Sequence, residues 1–374
     1  MAKAKSNKND EFYTRIEDIE NELKHYKEQF YNKIVLCNCD DPFESNFFKY
    51  FALNFNTLHL KKLITTCYNG SKIIGTQLSL FDIKNINYIE KERKAYKVEI
   101  TNVPDLNKDG SIDLNDIKQL LKLNNNNIKL LKGDGDFRSE ECLKFLDEAD
   151  IVVTNPPFSL FKEYVPLLVN HNKKFLIIGN MQTIKYKEIF PLILDNKLWA
   201  GYSFNKTFEF IMPNSYELKG KAYVDKDGNK HGFVPGICWL TNLDVPKRHE
   251  KMILYKRYDP EYYKKYDNYD AIEVKNVNEI PCDYSGKMGV PISFLEKYNP
   301  EQFELIGSSD IPETLEGVRI LGKEWINKYK EQGGTGHYTA NMKSIGFSGE
   351  GKYKVIFSRL IIKNKELEEN SNEN

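Results

Sequence analysis

Four consecutive residues, Asn155-Pro156-Pro157-Phe158, could together activate a planar amine. The exocyclic amine of adenine is a poor nucleophile because its lone pair is delocalised into the ring. The side-chain carbonyl of Asn155 and the main-chain carbonyl of Pro156 could accept its two hydrogens and stabilise the positive charge that develops on the nitrogen during methyl transfer. Successive prolines restrict the backbone and hold these acceptors rigidly, while Phe158 could stack on the base.

An apolar run at residues 150–154 directly precedes this tetrapeptide and predicts a buried β-strand. Further strands are predicted at 33–39, 60–66 and 174–179, with helical spacing of apolar residues at 159–169. Strands alternating with helices predict an α/β fold with a doubly wound sheet. Ligands of such sheets bind beyond the carboxyl ends of the strands, where the tetrapeptide would lie. The alternative is a diproline turn without chemical meaning, since Asn-Pro is itself a turn signal.

The alternation of strands and helices ends after about residue 199, which predicts a change of domain. We expect a catalytic domain at 1–204 with an insertion at about 84–132. A less regular α+β region is expected at 205–363, with a glycine-rich loop at 333–351. The acidic, polar tail at 364–374 is expected to be disordered.

Acidic residues near the predicted strand ends could bind a cofactor. Asp136 in the segment Gly-Asp-Gly-Asp-Phe could accept a hydrogen bond from the amino group of a cofactor's adenine, with Phe137 against the ring. An Asp/Gly turn is the equally open alternative. Asp40 ends the first predicted strand and is placed near the same ligand, although no glycine-rich loop follows that strand.

A basic, tyrosine-rich segment at 247–266 could bind a polyanion. It holds seven Lys/Arg against three Asp/Glu, and five tyrosines are interleaved. Cations that contact phosphates and rings that stack on bases are the usual elements of nucleic-acid binding. A solvated helix face is the alternative. The candidate DNA-binding residues are Lys247, Arg248, Lys251, Lys256 and Arg257.

Residues 105–116 fit the spacing of a calcium-binding loop. Glycine stands at the sixth position and an apolar residue at the eighth, and a predicted helix follows. The twelfth position carries Asp instead of the usual Glu, so a solvated acidic loop is the alternative. The candidate Ca²⁺ ligands are Asp105, Asn107, Asp109, Asp113 and Asp116.

Composition excludes some classes of protein and leaves others open. No run of eighteen apolar residues occurs, so we expect no membrane span, and the polar, lysine-rich start lacks a secretory signal. Six scattered cysteines indicate reduced thiols and a cytoplasmic protein. The formal net charge of zero means that any DNA-binding surface must be local.

Several segments together resemble the EcoRI-type adenine-specific DNA methyltransferases, and the resemblance extends over nearly the whole chain. They are residues 8–14 (KNDEFYT), 36–42 (LCNCDDP), 133–138 (GDGDFR), 150–158 (DIVVTNPPF) and 288–294 (MGVPISF). The resemblance implies a Rossmann-like catalytic domain that binds S-adenosyl-methionine, followed by a target-recognition region. It implies that Asn155 to Phe158 form the catalytic loop. It also implies a cofactor site lined by Phe12, Tyr13, Thr14, Asp40 and Asp136.

The resemblance further implies methylation of adenine N6 in double-stranded DNA, on a base flipped out of the stack because N6 is unreachable inside it. It suggests GAATTC as the recognition sequence. We expect a monomer, with a cognate restriction endonuclease as a possible partner. Two alternatives stay open: a methyltransferase acting on RNA or on protein glutamine, and a catalytically inactive DNA-binding module.

Overall fold

A computed structural model describes residues 13–39, 45–68, 94–123, 128–204, 206–212, 218, 220–335, 343–349, 351–356 and 358–367. The chain divides into two compact units, which we call unit 1 (Met1–Thr183 and Leu198–Asp244) and unit 2 (Ile184–Lys197 and Val245–Asn374).

The α-helices of the described residues are α1 (Ile16–Leu23), α2 (Asn46–Leu53), α3 (Leu114–Leu123), α4 (Glu140–Glu148), α5 (Phe161–Asn170), α6 (Phe190–Leu194) and α7 (Lys323–Glu331). The strands are β1 (Tyr13–Thr14), β2 (Ile34–Cys37), β3 (Lys62–Thr66), β4 (Tyr96–Ile100), β5 (Ile128–Leu130), β6 (Ile151–Thr154), β7 (Lys174–Asn180), β8 (Trp199–Ala200), β9 (Phe208–Met212), β10 (Tyr223–Val224), β11 (Lys230–Val234), β12 (Ile237–Thr241), β13 (Ile272–Glu273), β14 (Met288–Pro291), β15 (Phe303–Ser308), β16 (Gly346–Gly349), β17 (Lys352–Val355) and β18 (Arg359–Asn364).

The large sheet of unit 1 has the strand order β5-β4-β3-β2-β6-β7-β12-β8. Its four central strands, β3, β2, β6 and β7, are parallel to their neighbours within this group. Every residue of β2 and β6 is buried, as expected for strands covered on both faces. The α/β class predicted from the sequence is confirmed. The sheet is mixed, however, because antiparallel strands flank the parallel centre on both sides.

Serine caps begin two of the helices that accompany this sheet. The Ser45 hydroxyl accepts from the main-chain amide of Phe47 at 3.1 Å, and the Ser139 hydroxyl accepts from that of Cys142 at 3.2 Å. Such caps satisfy amides that have no partner within the helix. They define where α2 and α4 start, after β2 and before β6 respectively.

A second sheet of unit 1 has the order β1-β9-β11-β10 and is antiparallel throughout. Because β12 returns from this sheet and pairs with β7 in the large sheet, residues up to Asp244 belong to unit 1. The compact units therefore divide after Asp244, whereas the domain boundary predicted from the sequence at 204/205 stays a prediction.

The predicted insertion at about 84–132 contributes strands to the large sheet. Its described residues include β4 and β5, which extend the large sheet beyond β3. The described part of this segment is therefore an extension of the large sheet of unit 1. Residues 84–93 and 124–127 lie outside the described residues.

Unit 2 contains the sheet β13-β14-β18-β15 and the hairpin β16-β17. Its core includes Tyr266, Ala271, Leu315 and Ile361. Within the expected glycine-rich loop at 333–351, β16 pairs with β17, which follows the loop, and Gly346 lies opposite Val355. The first residue of the tail that was expected to be disordered, Asn364, is buried and ends β18; residues 368–374 lie outside the described part.

Within the described part of the chain, no helix has the length and apolar character needed to cross a membrane. All six cysteines lie there too, and none forms a disulfide.

Candidate active site

The tetrapeptide Asn155-Pro156-Pro157-Phe158 directly follows β6, as predicted. In the sheet, β2 lies between β3 on one side and β6 on the other, so the chain reverses its winding direction between β2 and β6. A reversal of this kind opens a crevice at the carboxyl ends of the two strands, where ligands of α/β sheets bind. The tetrapeptide lies at one side of that crevice.

Three of the four residues of the tetrapeptide are partly accessible to solvent. Pro156 is buried, whereas Asn155, Pro157 and Phe158 are half-buried. Phe158 begins a 3-10 turn (Phe158–Leu160) that leads directly into α5. A rigid backbone with partly exposed amide and aromatic side chains is what an acceptor site for a planar base requires.

Asn38 lies across the crevice, at the end of β2. Its main-chain carbonyl accepts a hydrogen bond from the Thr154 hydroxyl, and its side-chain oxygen accepts one from the Tyr164 hydroxyl. All three residues are buried. Burial raises the pKa of Tyr164 well above its usual value, so this hydroxyl keeps its proton and acts as a donor.

Cys39 follows β2, after which the sequence has no glycine-rich loop. It adopts a φ of 76°, in the left-handed region that glycine normally occupies. Cys39 thus has a backbone conformation that is more usual for glycine. Asp40, the acidic residue predicted to contact the cofactor, lies outside the described residues.

Two of the N-terminal residues predicted to line the cofactor site, Tyr13 and Thr14, form β1, which pairs with β9. Thr14 is buried, and its hydroxyl has no hydrogen-bond partner among the described residues. Its main-chain carbonyl accepts from the Asn46 side chain at 2.8 Å, at the start of α2. The backbone of Tyr13 is described as part of β1, and Phe12 lies outside the described residues.

The segment Gly133 to Phe137 forms a turn beside the end of β3. Gly135 has a φ of 83°, and a Cβ added there would lie 2.1 Å from the Cys67 carbonyl oxygen. Only glycine fits this close approach. The turn therefore lies at the same edge of the sheet as the ends of β2 and β6.

Asp136 accepts hydrogen bonds from the Arg138 side chain at 2.9 and 2.6 Å and from the Arg138 main-chain amide at 2.8 Å, and these bonds lower the pKa of its carboxyl group. Phe137 is buried and packs edge-on against Tyr164, with 5.0 Å between ring centroids. The role of both residues in cofactor binding stays a prediction. The sequence signal did not reveal that each has a partner within the protein.

Two residues of this crevice, Asn38 and Tyr164, were not singled out from the sequence. The available signals were a polar residue inside the apolar run at 33–39 and a tyrosine on the apolar face of a predicted helix. Both patterns are common in protein interiors, so neither predicts a role in a site.

The predicted DNA-binding residues belong to unit 2. Lys247 pairs with Glu296 at 2.9 Å, Lys251 pairs with Glu366 at 2.7 Å, and Arg248 donates to Asn196 at 2.6 Å. Lys256 and Arg257 are exposed, as are Ile253 and Tyr255. Lys247, Arg248 and Lys251 thus have polar partners within unit 2, although the Lys251 side chain is exposed as well.

The 105–116 loop is held by its own carboxylates. The Asp105 carboxylate accepts from the main-chain amides of Lys108 and Gly110, and the Asp116 carboxylate accepts from that of Leu106. Among the residues that the structure describes, no group of three or more His, Cys, Asp or Glu side chains is arranged to hold a metal ion.

Comparisons with known proteins place these features in a family. The sequence model of the family described as "Adenine-specific methyltransferase EcoRI" matches residues 1–365. The chain is 47% identical to the Type II methyltransferase M.EcoRI of Escherichia coli over 312 residues, 82% of this chain and 88% of the relative.

Two further relatives come from mycoplasmas. The chain is 39% identical to the Type II methyltransferase M.MgeORF184P of Mycoplasma genitalium and 38% identical to the Type II methyltransferase M.MpnI of Mycoplasma pneumoniae. Each match covers 81% of this chain and 84% of the relative. No solved structure matches the chain. The match over residues 1–365, together with 47% identity to a Type II methyltransferase, shows that this chain belongs to the EcoRI family of adenine-specific methyltransferases.

Proposed function

We propose that this enzyme transfers a methyl group from S-adenosyl-methionine to N6 of an adenine flipped out of duplex DNA, as the modification enzyme of a restriction-modification system. The observation that carries the proposal is the half-buried Asn155 and Phe158 at the carboxyl edge of the sheet, in a chain of this family. Flipping is required because N6 is unreachable inside the base stack.

The residues of the tetrapeptide act on the amine as follows. The Asn155 side-chain carbonyl and the Pro156 main-chain carbonyl accept the two N6 hydrogens, which localises the nitrogen lone pair. Positive charge then develops on N6 between acceptors that need no reorganisation. Phe158 stacks on the adenine ring and holds it in place.

The residues around the crevice fit a cofactor with polar groups. The buried Thr14 hydroxyl, which has no hydrogen-bond partner among the described residues, is the kind of group that a ligand completes. When bound, S-adenosyl-methionine supplies the electrophilic methyl group. We assign its binding to Phe12, Tyr13, Thr14, Asp40, Asp136 and Phe137.

The decisive experiment is transfer of labelled methyl from S-adenosyl-methionine to duplexes that do or do not contain GAATTC. Digestion of the product should yield N6-methyladenine, and methylated GAATTC should resist a nuclease that cleaves this site. Labelling of RNA or of a glutamine peptide in place of DNA would refute the proposal. Cofactor binding without transfer to any substrate would favour an inactive DNA-binding module.

We expect Phe158→Ala to weaken retention of the flipped base, because loss of one stacking contact costs roughly 1–3 kcal/mol. A duplex with 2-aminopurine at the target position should show less fluorescence increase and weaker binding. Phe158→Tyr is the matched control because it keeps the ring. Unchanged fluorescence and affinity in Phe158→Ala would contradict the stacking role.

We further propose that unit 2 carries the DNA-binding surface and that Lys256 and Arg257 contribute most of its phosphate contacts. Lys247 and Lys251 are already paired with carboxylates, so they release fewer counterions on binding.

The slope of log affinity against log salt should fall by about one unit when Lys256 or Arg257 is replaced by Ala, since each phosphate contact releases condensed counterions. Lys144→Ala is the matched control, because Lys144 pairs with Glu140 on α4 in unit 1. Slopes equal to wild type in both test variants would place the DNA surface elsewhere.

Calcium is a second ligand that we propose for the 105–116 loop. Gly110, at the sixth position, has a φ of 90°, the sharp turn that such loops require. Millimolar calcium should then raise the melting temperature by mass action. Asp105→Ala should remove the increment. A wild-type melting curve that does not move with calcium would show that the loop is only a solvated turn.

A further inference from the structure

We propose that Asn38 is a positioning residue that clamps both ends of the catalytic loop, with Thr154 and Tyr164 as its two donors. The catalytic loop here means residues 155–160, between the end of β6 and the start of α5. The inference rests on the proposed role of Asn155 as the acceptor for the target amine. It adds residues to which the proposed mechanism assigns no contact with substrate or cofactor.

The first contact holds the entry of the loop. Thr154 is the last residue of β6, it is fully buried, and its hydroxyl donates to the main-chain carbonyl of Asn38. That carbonyl is well fixed, since the residues before it pair with β3 and β6 and the next residue, Cys39, has a defined left-handed conformation. Asn155 therefore follows a backbone position that is tied to β2.

The second contact holds the exit of the loop. Tyr164 lies in the first turn of α5, is fully buried, and donates its hydroxyl to the side-chain oxygen of Asn38. Phe137 packs edge-on against its ring, with an interplanar angle of 84°, which limits movement of the ring. The helix itself packs closely on β7, where a Cβ added to Gly179 would lie 2.8 Å from Phe161.

Asn38, which directly follows β2, thus accepts one hydrogen bond from each end of the loop. If Asn38 were hydrogen-bonded to only one end of the loop, the other end could move with its own strand or helix. Two bonds to the same residue fix the distance between the loop ends and hence the direction of the Asn155 carbonyl. Displacement of a reacting group by about 1 Å can cost on the order of a hundredfold in rate.

The test is Tyr164→Phe, which removes one hydroxyl and keeps the ring that packs on Phe137. We expect kcat for DNA methylation to fall about tenfold or more, while the dissociation constant for S-adenosyl-methionine changes by less than about threefold. Tyr26→Phe is the matched control: Tyr26 is a buried tyrosine of unit 1 whose hydroxyl donates to Glu22 at 2.9 Å. Tyr26→Phe should lower the melting temperature by an amount similar to Tyr164→Phe and should leave kcat near wild type.

A double-mutant cycle separates positioning from general loss of stability. Tyr164→Phe and Asn38→Ala act through the same hydrogen bond, so the double variant should lose no more kcat than Asn38→Ala alone. Asn38→Asp, which keeps an oxygen for the Tyr164 hydroxyl, should retain more activity than Asn38→Ala.

The clamp is overturned if Tyr164→Phe keeps wild-type kcat, or if its loss of kcat adds fully to that of Asn38→Ala. Failure of the proposed function looks different. In that case the wild-type enzyme itself does not methylate DNA, or Asn155→Ala is fully active. Wild-type methylation with an inactive Asn155→Ala and a fully active Tyr164→Phe would remove the clamp alone.

Discussion

Asn155→Ala should lower the rate of methyl transfer by about a hundredfold or more, because it removes one of two acceptors that stabilise charge developing on the target nitrogen. Removing one preorganised hydrogen-bonding group from a transition state typically has an effect of this size. The half-buried Asn155 side chain follows a buried strand, so the substitution removes polar contacts without opening the core.

Single-turnover transfer from labelled S-adenosyl-methionine to a GAATTC duplex measures this step apart from product release. Affinity for S-adenosyl-methionine, followed by isothermal titration, should stay close to wild type because the proposed role of the side chain is to contact the target amine and not the cofactor. Asn155→Asp is the matched control, since a carboxylate oxygen still accepts a hydrogen bond. Wild-type turnover in Asn155→Ala would refute the mechanism.

The second large effect is expected at Gly135. An alanine there would place its Cβ 2.1 Å from the Cys67 carbonyl oxygen and would also have to adopt a φ of 83°. Overpacking costs about 1–3 kcal/mol and the left-handed conformation about 1–2 kcal/mol, so we expect the free energy of unfolding to fall by about 3 kcal/mol. Because the turn carries Asp136 and Phe137, affinity for S-adenosyl-methionine should fall as well.

Gly133→Ala is the internal control for this prediction. A Cβ added to Gly133 meets no atom within 4 Å, so its stability should lie within about 0.5 kcal/mol of wild type. Urea unfolding and cofactor titration of the two variants in parallel measure both effects. Equal stability of Gly135→Ala and Gly133→Ala would mean that the turn does not approach the end of β3 as closely as described.

The contrast between paired and exposed cations in unit 2 changes how DNA binding should be tested. Sequence composition treats all Lys and Arg of the 247–266 segment alike. The structure shows that Lys247 and Lys251 have carboxylate partners, while Lys256 and Arg257 are exposed beside Tyr255. Substitutions at the second pair therefore give the clearer measure of phosphate contacts, since loss of a paired lysine also leaves a carboxylate without its partner.

Local sequence was enough to predict the central strands of unit 1 and the position of the tetrapeptide after β6. The runs ending in Cys39, Thr66, Thr154 and Gly179 correspond to β2, β3, β6 and β7. Long apolar runs bounded by turn residues predict buried parallel strands because strand and helix periodicity are properties of neighbouring residues. The tetrapeptide after β6 and the other quoted motifs were likewise sufficient to identify the family, which the comparisons confirm.

Only the tertiary structure shows which distant segments these elements contact. The antiparallel pairing of β12 with β7 moved the unit boundary to Asp244, and the contacts of Asn38 with Thr154 and Tyr164 join residues more than a hundred positions apart. Such contacts depend on which distant segments share a sheet edge, and no local pattern encodes that choice. The sequence therefore predicted the strands and the candidate reacting groups that follow them, whereas the folded chain determined which buried side chains contact the ends of that segment.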